Sequence, residues 1–184
     1  MFRTGDIYTI EELKENGLTL EDIDLMVSEG KLCKYEEIDG IYYVGGTTEV
    51  FGKIIKVEPL PIEVITKKYF GNDFKFGSWT ELSLLNKLGL CNQVPVIETL
   101  TSSSVDKDLS LDILSTKYNI SKFCGSFDFK LNILQTINDW FSYIDCDDTV
   151  ILSVLLKYIS KEDIKKYLST YDFCNIYKLT NEVF

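Results

Sequence analysis

The first 44 residues carry a helical pattern of apolar positions that gives way to an extended one. Thr9-Ile10-Glu11-Glu12 has the form of a capping box, in which a threonine oxygen and a glutamate three residues on satisfy the free N–H groups of a first helical turn. It predicts a short helix that runs to about Asn16 and stops at Gly17. Thr19-Leu20-Glu21-Asp22 repeats the signal and opens a second helix. There Leu20, Ile23, Met26 and Val27 fall at helical spacing and form one apolar face, and Gly30 ends the helix. Two extended runs follow, 32–36 and 41–44, and the Asp39-Gly40 pair between them marks a hairpin turn. Helix, turn, helix, hairpin is the order of a winged-helix module.

Beyond Gly45-Gly46 the texture changes. Residues 50–57 read as a strand, Pro59 and Pro61 as a joint, and Pro61 as the first turn of a helix reaching about Tyr69. Residues 71–77 read as a loop. Ser78-Trp79-Thr80-Glu81 again has capping-box form and predicts a helix closing near Gly89, followed by a strand over 94–100. Leu109, Leu111 and Ile113 alternate with Ser110 and Asp112, the period of a half-buried strand, with 120–123 as its neighbour. From Leu131 the period turns helical over 132–143, 149–159, 161–168 and 175–182, and Ser160 with Asp163 caps the third of these. The expected fold is mixed α+β: a winged-helix module over residues 1–57, then a mixed α/β domain over 58–184 with a helical C-terminal end.

Composition narrows the chemistry. A hydrophobic fraction of 45% is enough for a packed core, and 29 acidic against 19 basic residues leave a net charge of −10 that works against a broad nonspecific grip on nucleic acid. There is no histidine, which removes Ser-His-Asp and Cys-His catalysis and histidine-ligated metals. The five cysteines are scattered without a CxxC pair, the pattern of buried free thiols in a reducing compartment. Met1-Phe2-Arg3-Thr4-Gly5-Asp6 lacks the apolar run of a signal peptide, and the greasiest stretch, 150–156, is too short to span a bilayer. The reading is a cytoplasmic protein that is not an enzyme, with no catalytic residues, metal or cofactor and no membrane partner.

Two stretches resemble one family. Gly17-Leu18-Thr19, Ile23, Gly30-Lys31-Leu32 and Gly40-Ile41-Tyr42-Tyr43 are similar to the winged-helix start of the AbiEi group, antitoxins of type IV abortive-infection systems. Further on, 85–95 contains Leu88-Gly89-Leu90 followed by Gln93 and Pro95, which resembles the helix-to-strand segment of the same group. Together they cover roughly a third of the chain, and the likeness fades beyond residue 100. The resemblance implies a bacterial or phage transcriptional regulator with an N-terminal DNA-binding domain. It implies operator DNA as one partner, and a nucleotidyltransferase-like toxin or that toxin's target as another.

Contact residues follow from the module. Thr19, Lys31, Lys34, Tyr35 and Tyr42 are the candidates for operator DNA, with the wing lysines supplying charge and the tyrosines hydroxyls. The recognition helix itself departs from the requirement: 19–29 holds Glu21, Asp22, Asp24 and Glu29 and no lysine or arginine, and residues 1–57 hold six basic groups against twelve acids. The alternative is an acidic winged helix that docks on a protein, in phage defence or anti-defence. Lys67, Lys68, Lys165 and Lys166 are the candidate partner-binding lysines. Asp145, Asp147 and Asp148 read as helix capping rather than a magnesium site. The 45–48 stretch lacks the length and lysine of a phosphate loop, and Trp79, Trp140, Phe70, Phe74 and Phe76 read as core.

Overall fold

A computed structural model describes residues 2–181; the predicted end of the last helix at Glu182 lies outside the described residues, as does Met1. The fold is mixed α+β with three sheets. The chain divides into two compact units at the Gly71–Asn72 junction. The helix begun at Pro61 therefore belongs to the first unit, so the division falls later than the residue-57 boundary read from the sequence.

The first unit, the head, opens with a strand the sequence did not announce, β1 (Ile7–Thr9). It leads directly into α1 (Ile10–Glu15) and α2 (Leu20–Ser28). Both capping boxes form. The Thr9 amide donates to Glu12 at 2.9 Å while the Glu12 amide donates to Thr9 Oγ1 at 3.2 Å, and the Thr19–Asp22 pair repeats this with the same two distances. β2 (Cys33–Lys34) and β3 (Ile41–Tyr43) form the short hairpin, and the sheet order is β1-β3-β2, all antiparallel. Gly40 sits in the turn with φ +74, a left-handed conformation that favours glycine, and the Lys68 Nζ lies 3.2 Å from where a Cβ there would stand. Leu13, Ile23 and Leu32 form the buried centre, with Met26, Val27, Tyr42 and Val44 packed around it. Leu20 was expected on this apolar face and instead stays 53% exposed, because it stands at the first position of α2, outside the buried turn.

The predicted strand over 50–57 is in fact a hairpin. β4 (Gly46–Val50) and β5 (Lys53–Val57) pair antiparallel in full register around Phe51-Gly52 and form a separate two-stranded sheet. α3 (Pro61–Ile65) follows, started by Pro61 and by Glu63 accepting from the Leu60 amide at 2.8 Å. It continues as one wider π turn, Thr66–Phe70, that packs on β1 and carries the lysine pair.

The second unit, the body, is built on a four-stranded sheet of order β6-β7-β9-β8. Its strands are β6 (Gly77–Trp79), β7 (Ile97–Ser102), β8 (Leu109–Ile113) and β9 (Thr116–Lys122). β7 and β9 run parallel and the other pairings are antiparallel. The strand predicted at 94–100 starts later, and Val94 and Val96 are exposed. The third capping box does not form. Ser78 is a buried strand residue whose hydroxyl donates to the Trp79 carbonyl at 3.0 Å, and Glu81 has φ +53, so α4 (Glu81–Lys87) starts without a side-chain cap. α5 (Phe129–Asp139), α6 (Asp148–Tyr158), α7 (Lys161–Leu168) and α8 (Cys174–Asn181) complete the helical end, with α5 contacting α4, α6, α8 and β6. Trp79, Leu100, Ile120, Ile133, Leu134 and Ile151 are among its buried side chains. No helix among the described residues is long and apolar enough to cross a membrane.

Candidate nucleic-acid interface

The head places its candidate contacts on three local structures, and each has its own electrostatic outcome. Thr19 is the N-cap of α2. Its oxygen accepts from the Asp22 amide and its hydroxyl donates to Asp22 Oδ2 at 2.6 Å, so the group that would reach a phosphate already serves the helix end. The Thr19 hydroxyl first, and the Thr19 amide that also donates to Asp22 Oδ2 second, hold the Asp22 carboxyl below its usual range. The N-terminal end of α2 is therefore fixed as an anion, the opposite of what an approaching phosphate requires.

The two lysines at the β2–β3 hairpin are paired. Lys31 meets Glu29 at 2.6 Å and Lys34 meets Asp39 at 3.4 Å, both at exposed positions. Exposed pairs of this kind are weak, about 0–1 kcal/mol, but the neighbouring carboxylate offsets the charge each lysine presents to a polyanion. Tyr35 is 7% exposed and belongs to the core, which removes it from the contact set. Tyr42 is half-buried and packs on the Leu13–Ile23–Leu32 centre. The structure thus brings Lys31 and Lys34 to the surface and takes Thr19, Tyr35 and Tyr42 into structural work.

The four lysines expected to bind a partner separate in the same way. Lys67 forms an ion pair with Glu12 of α1, and Lys68 lies over the Gly40 turn. Lys165 and Lys166 are exposed on α7. Asp163 of that helix accepts from Lys130 of α5 at 2.6 Å, and this bond first, with a side-chain bond to Ser160 second, holds the Asp163 carboxyl low.

What the outer face of α2 does expose is acid and apolar surface together. Glu21, Asp22, Asp24 and Glu29 are exposed, and Leu25, 56% exposed, stands among them with Leu20. Sequence reasoning missed the β4–β5 arm. Lys53 and Lys56 lie on its strands, and neither is in an ion pair among the described residues. The signal was available: β-forming residues on both sides of a Phe-Gly pair.

Other candidate chemistry resolves into structure. Asp145 accepts from the Asn92 amide, Asp147 stands at the N-cap position of α6 without a capping bond, and no metal-competent cluster of three acids or cysteines occurs among the described residues. Gly46-Thr47-Thr48 is strand rather than phosphate loop. Trp79 and Phe70 are core as expected, whereas Phe76 is exposed. The cysteines are free, but only Cys91 is buried, which corrects the expectation of buried thiols. In the body, a cleft of about 420 Å³ is lined by Thr80, Thr101, Ser121, Asp128, Asn132 and Gln135. Most of these polar groups already bond within the unit: Thr101 to the Ser121 carbonyl, Asn132 to the Trp79 carbonyl, and Asp128 to the Leu131 amide and the Tyr167 hydroxyl at 2.5 Å. No family model and no curated protein matches the chain.

Proposed function

We propose that this protein is an antitoxin-like, non-catalytic regulator of the abortive-infection type, acting in the cytoplasm of a bacterium or under phage control. Its winged-helix head would dock through α2 on a basic protein surface. The observation that carries this reading is the outer face of α2, where Leu20 and Leu25 stand exposed among Glu21, Asp22, Asp24 and Glu29. A face that is apolar and anionic together complements a protein patch of lysine or arginine around a hydrophobic pocket, and it repels a phosphate backbone. The strand-helix-helix-hairpin order with sheet order β1-β3-β2 supports a winged helix as the scaffold. The resemblance at 17–43 and 85–95 supports the antitoxin class and supplies the partner to test, a nucleotidyltransferase-like toxin.

Co-expression with a toxin encoded by a neighbouring gene tests this. Growth should be rescued by the native protein and not by a Leu20→Asp, Leu25→Asp double variant of unchanged circular dichroism. Rescue by the double variant would remove the docking face from the account.

Operator DNA is the second reading, favoured by the exposed Lys31 and Lys34 beside the hairpin and by the unpaired Lys53 and Lys56 of the arm. A mobility shift on the protein's own promoter, steeply salt-dependent and lost in Lys31→Glu, Lys34→Glu, would establish it in place of the first.

A further inference from the structure

The β4–β5 arm combines three features that together identify what it meets. It is a two-stranded sheet with no third strand and no helix upon it among the described residues, and an isolated hairpin of this size is at best marginally stable in water. It exposes Val50, Phe51, Ile54 and Ile55. At its tip Phe51 has φ +51, in the left-handed region that disfavours a side chain, and is fully exposed. Asparagine or glycine would be the easier residue before Gly52. Leu114 occupies the equivalent turn between β8 and β9 and is also exposed, but that hairpin is sewn into a four-stranded sheet. Among the described residues, the arm alone carries strain, apolar exposure and two unpaired edges at once.

From this we infer that the arm pairs with the arm of a second copy of the chain, β5 against β5 about a two-fold axis, forming a four-stranded sheet. The sequence of β5 selects the register. With Ile55 on the axis, Lys53 faces Val57 and Ile54 faces Lys56, so all five residues overlap and no like charges are opposed. Shifting by half a step would set Lys53 against Lys56. Antiparallel arms about 17 Å long bring each tip to the other's root. There, in each copy, a pocket of about 310 Å³ is walled by Tyr43, Gly45, Gly46 and Val57 with Lys56 and Glu58 at its rim. Phe51 of one copy fills the pocket of the other, and Lys53 of one lies near Glu58 of the other. Each Phe51 ring carries about 150–250 Å² of surface into the other copy's pocket, and the two β5 edges exchange the backbone hydrogen bonds of the new seam. The inference is independent of which partner α2 contacts.

Light scattering on the full chain, from micromolar to submillimolar concentration, tests it. The native protein should have twice the monomer mass of 21.1 kDa. Phe51→Asn, which suits the turn better and removes the ring, should be monomeric, as should Ile55→Lys, which sets two ammonium groups on the axis. Each should raise the dissociation constant by at least about 100-fold without changing circular dichroism. Lys53→Glu should weaken the dimer, and adding Glu58→Lys should restore it. A native protein that stays monomeric throughout overturns the inference, as does a dimer indifferent to both Phe51→Asn and Ile55→Lys. A monomer whose binding to duplex DNA is lost in Phe51→Asn would overturn it in favour of the ring as a base-step wedge.

Discussion

Thr19 illustrates how one hydroxyl is committed. It accepts from the Asp22 amide and donates to the Asp22 carboxylate, which in turn accepts from the Thr19 amide. Thr19→Ala removes both side-chain bonds and should lower head stability by about 1 kcal/mol, measured by urea unfolding. The depressed Asp22 carboxyl fixes the sign of the acid response. Its folded value lies below the usual 3.8, so the folded head binds fewer protons than the unfolded chain. The stabilisation is complete above pH 3.8 and is lost as the pH falls through the folded value. The urea midpoint should therefore fall as the pH is lowered below 3.8, and Asp22→Asn should flatten that fall. At the arm's tip the expected sign is reversed: Phe51→Asn relieves a left-handed backbone and should stabilise the dilute monomer by about 0.5–1 kcal/mol, read as a raised thermal midpoint.

At the level of elements, the sequence was most legible where a helix start combines a cap with periodic apolar residues. α1, α2 and α7 lie where Thr9, Thr19 and Ser160 place them. The Ser78–Glu81 motif failed for a reason of tertiary origin. Ser78 is held in β6, opposite Thr101, and α4 begins only at Glu81, so Thr80 rather than Ser78 stands at its N-cap position. β1 was hidden because three residues are too few for a period, and its strand is fixed by pairing with Ile41–Tyr43, more than thirty positions away. The candidate contacts were legible as residue types but not as charges in place, since the acids that pair Lys31, Lys34 and Lys67 are recognisable only once the chain is folded. Gly77 is the point where β6 tolerates least. A Cβ there would lie 2.2 Å from the Thr101 carbonyl oxygen, which belongs to backbone and cannot turn aside. Gly77→Ala should destabilise the body by at least about 2 kcal/mol, read as a lowered midpoint of its unfolding.

For the whole molecule, the division at Gly71 gives each unit its own buried centre, Leu13–Ile23–Leu32 in the head and the side chains around Leu100, Ile120 and Leu134 in the body. Calorimetry should resolve two transitions. Ile23→Ala, which empties a fully buried position, should cost about 2–5 kcal/mol and lower only the head's transition. A single transition moved as a whole by Ile23→Ala would mean that the two centres melt as one.

The exposed tip has one more consequence, and it concerns enzymes that cut chains. A turn that carries a fully exposed aromatic ring offers a chymotrypsin-like protease its preferred residue, and Phe51 stands at such a tip between β4 and β5. Brief digestion should nick the chain between Phe51 and Gly52 before any other bond, and the rate of that single cut reads directly how much of the arm is bare at any moment.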